Sequence, residues 1–135
     1  MDRLDLLLKW GIALLGSAAT YLVGEWSELI SLFLLAMGID YLTGIAASLK
    51  LGNGLSSNVG FWGLAKKGLM ILVVILAHRL DELFGTNVIM VGSIYFYLTN
   101  ELISVTENYG RMGLPLPNKI KDIISILKQK GGDQS

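Results

Sequence analysis

At 135 residues the chain has room for one compact unit, not two ordinary domains. Apolar residues make up 53% and charged residues only 16%, too few polar groups to coat a soluble domain of this size. Zero formal charge offers no field to attract nucleic acid; lack of cysteine excludes disulfides, thiolate metal sites and cysteine nucleophiles; one histidine, His78, cannot build a multi-histidine metal cage.

The first uncharged run, WGIALLGSAATYLVG from Trp10 to Gly24, extends back through Leu6–Leu8 and predicts a span over 6–24. Gly16, Thr20 and Gly24 recur at spacings of four on it, beside Ser17, Ala18 and Ala19. Such small residues let helices approach closely, within one chain or between protomers, and these three are the oligomerisation candidates. Ser17-Ala18-Ala19 also looks like a signal-peptidase site, but Asp2 and Asp5 leave the leading segment without the positive charge a signal requires, so the span is expected to be retained.

After Glu25-Trp26-Ser27-Glu28, a second span over 29–49 is broken only by Asp40. A carboxylate at mid-span is costly in lipid and should face other helices or water. Ala36, Asp40, Thr43, Gly44, Ala47 and Ser48 form one small and polar helical stripe around it. Asp40 then either locks a helix pair through hydrogen bonds, or lines a wet lumen or controls assembly.

Gly52-Asn53-Gly54 and Ser56-Ser57-Asn58 predict a turn, followed by a third span over 64–80 centred on GLMILVVILA. Lys66 and Lys67 open this span as expected cytoplasmic anchors that snorkel to head groups; a salt bridge to Asp40 or Glu101 is the other reading. His78 beside Arg79 is expected at the interface, and Asp81-Glu82 to Gly85 forms the next turn.

The fourth span is predicted over 85–105. Its end carries Asn100, Glu101, Ser104, Glu107 and Asn108, with Asn100, Ser104 and Glu107 on one face. A polar stripe on an embedded helix faces a cavity, pore or partner, or else the span ends near Asn100 and the stripe lies in water. Beyond Gly113–Pro117, Ile120, Ile123, Ile124 and Leu127 predict an amphipathic helix over 118–130, on the inner leaflet or docked to a neighbour, ended by Gly131-Gly132. Residues 131–135 are expected as a disordered tail.

The expected fold is therefore an all-α integral membrane protein: a single membrane domain over 1–135, with four transmembrane helices in two antiparallel hairpins plus the C-terminal amphipathic helix. Of the eleven basic residues, all but Arg79 fall on the side that holds both termini. Positive residues are retained inside, so both termini should be cytoplasmic. Trp10, Trp26, Trp62, Tyr21, Tyr95, Tyr97 and Tyr109 lie mostly near span ends, as an interfacial aromatic belt requires, although ordinary packing would place them there too. No nucleotide-binding, metallohydrolase or nucleophile-elbow motif is present, so no enzyme activity, cofactor or metal site is expected.

Several groups of residues recur in an order that carries a family likeness. They are Asp40-Tyr41-Leu42-Thr43-Gly44; Ser56-Ser57 followed by Gly60, Gly63 and Lys66-Lys67-Gly68; Asn100-Glu101-Leu102-Ile103-Ser104 with Glu107-Asn108; and GRMGLPLP from Gly110 to Pro117. The sequence resembles, over roughly positions 30–125, the toxin-secretion/phage-lysis holin family (phage holin family 4) of phages and prophages of Gram-positive bacteria. The resemblance implies a protein that oligomerises in the bacterial host's cytoplasmic membrane and opens lesions. An endolysin then reaches the wall without obligatory direct contact, or a toxin is exported. Expected partners are further copies of the chain and the phospholipid bilayer, with no nucleic acid. The alternative is a non-lytic membrane scaffold or a small transport or channel subunit.

Overall fold

The computed structural model describes residues 2–52, 54 and 56–133. Asn53 of the expected turn, and Gln134 and Ser135 of the expected tail, lie outside the described residues. Five helices follow in order: α1 (Arg3–Val23), α2 (Glu28–Lys50), α3 (Ser57–Phe84), α4 (Val88–Met112) and α5 (Asn118–Asp133). There is no strand among the described residues. The first four helices are long and apolar enough to cross a membrane.

Local chemistry sets the ends. Ser27 Oγ accepts a hydrogen bond from the Ile30 N–H (3.2 Å) and Ser56 Oγ one from the Val59 N–H (3.1 Å), starting α2 and α3. Gly85 and Gly113, at φ +66° and +73°, stop α3 and α4 in the left-handed conformation that glycine adopts without steric cost. α3 thus begins about two turns before the expected residue 64, because the Ser56 cap, not the lysine pair, nucleates it. At 28 residues it is about 42 Å long against a hydrocarbon core of about 30 Å, so its ends reach into the interfacial zones. α5 continues through Gly131-Gly132 to Asp133, past the expected stop at 130; glycine weakens a helix without forbidding it.

α4 is the central helix. It packs along α2 and, less extensively, along α3 and α5. Its buried residues Ile94, Leu98, Glu101, Val105, Asn108 and Met112 alternate at spacings of four and three, the period of a coiled-coil seam. Opposite lie Ile30, Phe33, Ala36, Met37 and Ala47 of α2; Ala47 is fully buried, and its single methyl allows close approach. Ile30, Phe33, Ala36, Met37, Val74, Ile94 and Leu98 make an apolar core in the half of the bundle nearer the α3–α4 turn, where Phe33 and Tyr97 stack at 6.4 Å. The other half is polar.

The second hairpin, α3–α4, is a packed pair. α1, by contrast, packs along α3 and makes no packed contact with its expected neighbour α2. It buries no residue, and its leucines stand exposed as lipid-facing side chains would. At its C-terminal end the Arg79 guanidinium lies 4.8 Å from the Tyr21 ring centroid, and Gly24 packs against His78. A Cβ on Gly24 would lie 2.7 Å from His78 Cε1, and its φ of +78° with ψ −155° is a region essentially reserved for glycine. α5 buries Ile124 and half-buries Leu127, while Ile120 and Ile123 stay exposed, so only part of its expected apolar face is covered.

The α3–α4 turn is held by a residue expected only as part of a loop. Asp81 is 4% exposed and lies within α3, but it caps α4. Its Oδ1 accepts from Thr86 Oγ1 (2.7 Å) and the Ile89 N–H (2.9 Å), and its Oδ2 from the Met90 N–H (2.8 Å). Asn87, the residue at the N-cap position, makes no such side-chain bond. A carboxylate there satisfies orphan N–H groups and complements the helix dipole. Asp81→Ala should lower the unfolding midpoint in detergent micelles by about 5 °C or more, with Asp81→Asn falling between it and the parent. Thermal unfolding followed by circular dichroism checks this.

Candidate functional site

The polar half of the bundle is built around one lysine. Lys67 Nζ, reaching inward from α3, lies 2.7 Å from Asp40 Oδ2 of α2 and 2.6 Å from Glu101 Oε2 of α4. Glu101 is 3% exposed. Asn108, two seam positions further along α4, donates from Nδ2 to Asp40 Oδ1 (2.9 Å), the Asp40 carbonyl (3.1 Å) and Thr43 Oγ1 (2.9 Å). Arg111 Nη1 reaches Asn108 Oδ1 at 3.4 Å. Hydrogen bonds thus connect three helices through five side chains, from Arg111 by way of Asn108, Asp40 and Lys67 to Glu101. Among the described residues no buried side-chain polar atom lacks a partner, as an embedded network must avoid.

Beside this network a cavity of about 630 Å³ follows the seam between α2 and α3, which touch only sparingly. It is lined by Asp40, Lys67 and Glu101, and further out by Tyr41, Lys66 and Arg111. Tyr41 partly bridges the seam: its hydroxyl lies 3.4 Å from the Gly60 carbonyl as donor, and its ring fits against Gly63. Lys50 Nζ donates to the Met112 carbonyl, joining the ends of α2 and α4.

The structure sorts the residues singled out in the sequence. Asp40, Thr43 and Glu101 are brought into the network, while Gly44 packs beside Asn108 and Ser104 lines the cavity. Ala47 belongs to the α2–α4 packing seam. Asn100 lines the cavity but is exposed, and Glu107 is exposed outside it. The polar face expected from Asn100, Ser104 and Glu107 is thus rotated: the inward positions are Glu101 and Asn108, because the seam follows a 3.5-residue period through Val105. Of the two expected anchors only Lys66 is exposed; Lys67 turns inward, since two carboxylates meet it there. Gly16 and Thr20 remain on an exposed face of α1, with Thr20 Oγ1 donating to the Gly16 carbonyl (2.9 Å), whereas Gly24 is occupied by its contact with His78.

The model of the bacteriophage holin family matches residues 17–129. An uncharacterized protein of Halalkalibacterium halodurans is 41% identical, with 98% of this chain and 99% of that protein covered. An uncharacterized 14.9 kDa protein of Clostridium perfringens is 36% identical over 96% of this chain and 99% of its own length. A probable holin of Bacillus phage phi105 is 33% identical, with 82% of each chain covered. No solved structure matches.

Proposed function

The chain belongs to the bacteriophage holin family, and from that premise we propose that it works as a holin in the bacterial cytoplasmic membrane, with both termini inside. It gathers with copies of itself and opens lesions that release an endolysin to the wall or export a toxin. The observation that carries this reading is the polar network of Asp40, Lys67, Glu101 and Asn108 inside a bundle whose outer faces are apolar. Charged groups at this depth are expensive in lipid unless they meet one another or water. In the closed bundle they meet one another. Parting α2 from α3, which hold each other sparingly, would turn the same groups toward water and give a lesion its lining.

Assembly draws on small and apolar surface left uncovered. α1 buries nothing, and Ala13, Gly16, Ser17 and Thr20 border a shallow depression on it, suited to close approach by a second copy. Concentration-dependent association then gives opening a delay. Complete hydrogen bonding within the network supports a second reading, a non-lytic scaffold or small transport subunit in which the ions only lock three helices.

Induction in a bacterial host, with membrane potential recorded alongside co-expression of a cytosolic murein hydrolase, separates the two. The holin reading expects an abrupt loss of potential after a lag, and lysis that requires this chain. Immediate graded leakage argues against timed assembly; a harmless, non-leaking induction favours the scaffold.

A further inference from the structure

The cavity along the α2–α3 seam carries more positive charge than its buried network uses. At its inner wall Lys67 is matched by Asp40 and Glu101. Lys66, beside Lys67 on α3, and Arg111, in the last turn of α4, also line it, both of them exposed. Among the described residues neither meets a carboxylate, and Arg111 has only its long contact to the neutral Asn108 oxygen. The nearby Lys50 is already committed to the Met112 carbonyl. Three cations against two carboxylates leave the lining with one net positive charge, carried at its exposed edge by Lys66 and Arg111, and the guanidinium fork suits phosphate oxygens.

Size and surroundings narrow the class. About 630 Å³ lies within the range of small-ligand pockets, which leaves room for a polyol as well as a phosphate. Asn100 and Ser104 supply neutral polar groups, while Ile45, Val59 and Met70 supply apolar wall. The cavity lies between two helices long and apolar enough to cross a membrane, with little direct contact between them. A ligand there can extend acyl chains into the bilayer, which a soluble anion has no means of using.

We propose that this cavity is a binding site for the headgroup of an anionic phospholipid, its phosphodiester held between Lys66 and Arg111 and its hydroxyls facing Asn100 and Ser104. The site rests on the membrane placement of the bundle and not on lesion formation. A headgroup seated there would wedge the α2–α3 seam and tie its state to lipid composition.

The test is native mass spectrometry of the full chain released from micelles holding equimolar phosphatidylglycerol and phosphatidylcholine. Retention of phosphatidylglycerol should exceed that of phosphatidylcholine by about tenfold or more. The preference should vanish in Lys66→Gln/Arg111→Gln and survive in Lys66→Arg/Arg111→Lys. It should also survive in Lys128→Gln/Lys130→Gln, which removes equal charge from α5. No preference in the parent overturns the site, as does equal loss in the α5 variant. So does displacement of the lipid by millimolar glycerol phosphate, which would identify a free-anion site. The readout uses purified protein, so a chain that retains phosphatidylglycerol yet never permeabilises cells would sink the holin reading and leave this one standing.

Discussion

Lys67→Met should be the most damaging single substitution in the chain. It leaves Asp40 and Glu101 facing the same vacated space as two like charges without a cation between them. Removing one member of a buried ion network costs about 3–5 kcal/mol, because the remaining charge is stranded. Denaturant titration in mixed micelles, followed by circular dichroism, should show the loss. Lys66→Met, one residue away on an exposed position, should change stability by less than about 0.5 kcal/mol. Near-equal effects of the two substitutions would remove Lys67 from the centre of the fold.

Replacing all three ions together should behave in the opposite way for stability and more severely for function. In Asp40→Leu/Lys67→Met/Glu101→Leu no charge is stranded, and apolar substitution of a whole buried ion cluster is often neutral or stabilising by about 1–4 kcal/mol. Asn108 keeps two acceptors, the residue 40 carbonyl and Thr43 Oγ1, so no new buried donor is orphaned. If the ions line water after opening, this folded variant should accumulate in the membrane yet fail to collapse the membrane potential or support lysis. Full lytic activity in the triple variant would reduce the ions to a structural lock. The pair of experiments separates holding the bundle closed from lining the open state, which neither variant does alone.

Which parts of this were readable beforehand follows from what each inference needs. Asp40 announces its need for company by standing alone in a 21-residue apolar stretch, and any partner satisfies that statement. The identity of the partner does not follow. Lys66 and Lys67 are neighbours about 100° apart around a helix, so only the rotation of α3 against α2 and α4 decides which of them turns inward. Glu101 is legible as a candidate, and its salt bridge to the lysine pair as one of two readings; that Glu101 and Asn108 both point inward follows only from the four-three alternation running Ile94, Leu98, Glu101, Val105, Asn108, Met112. Asp81 gave no comparable signal, since a carboxylate near a turn reads as solvated until the following helix folds back and presents its N–H groups.

The amino-acid order alone determined that lipid is the solvent, that four apolar helices are needed, and that their few embedded polar residues must find one another. These follow from transfer free energies, which depend on residue type and run length. Tertiary structure decided that α1 packs on α3 and not on α2, that Lys67 and not Lys66 closes the ion network, and that a cavity remains between α2 and α3. In a bilayer no hydrophobic force chooses among apolar faces. Helix pairing and rotation are set by short-range fits such as Gly24 against His78, Ala47 on the α4 seam and Lys67 between two carboxylates, all made between residues far apart in the chain.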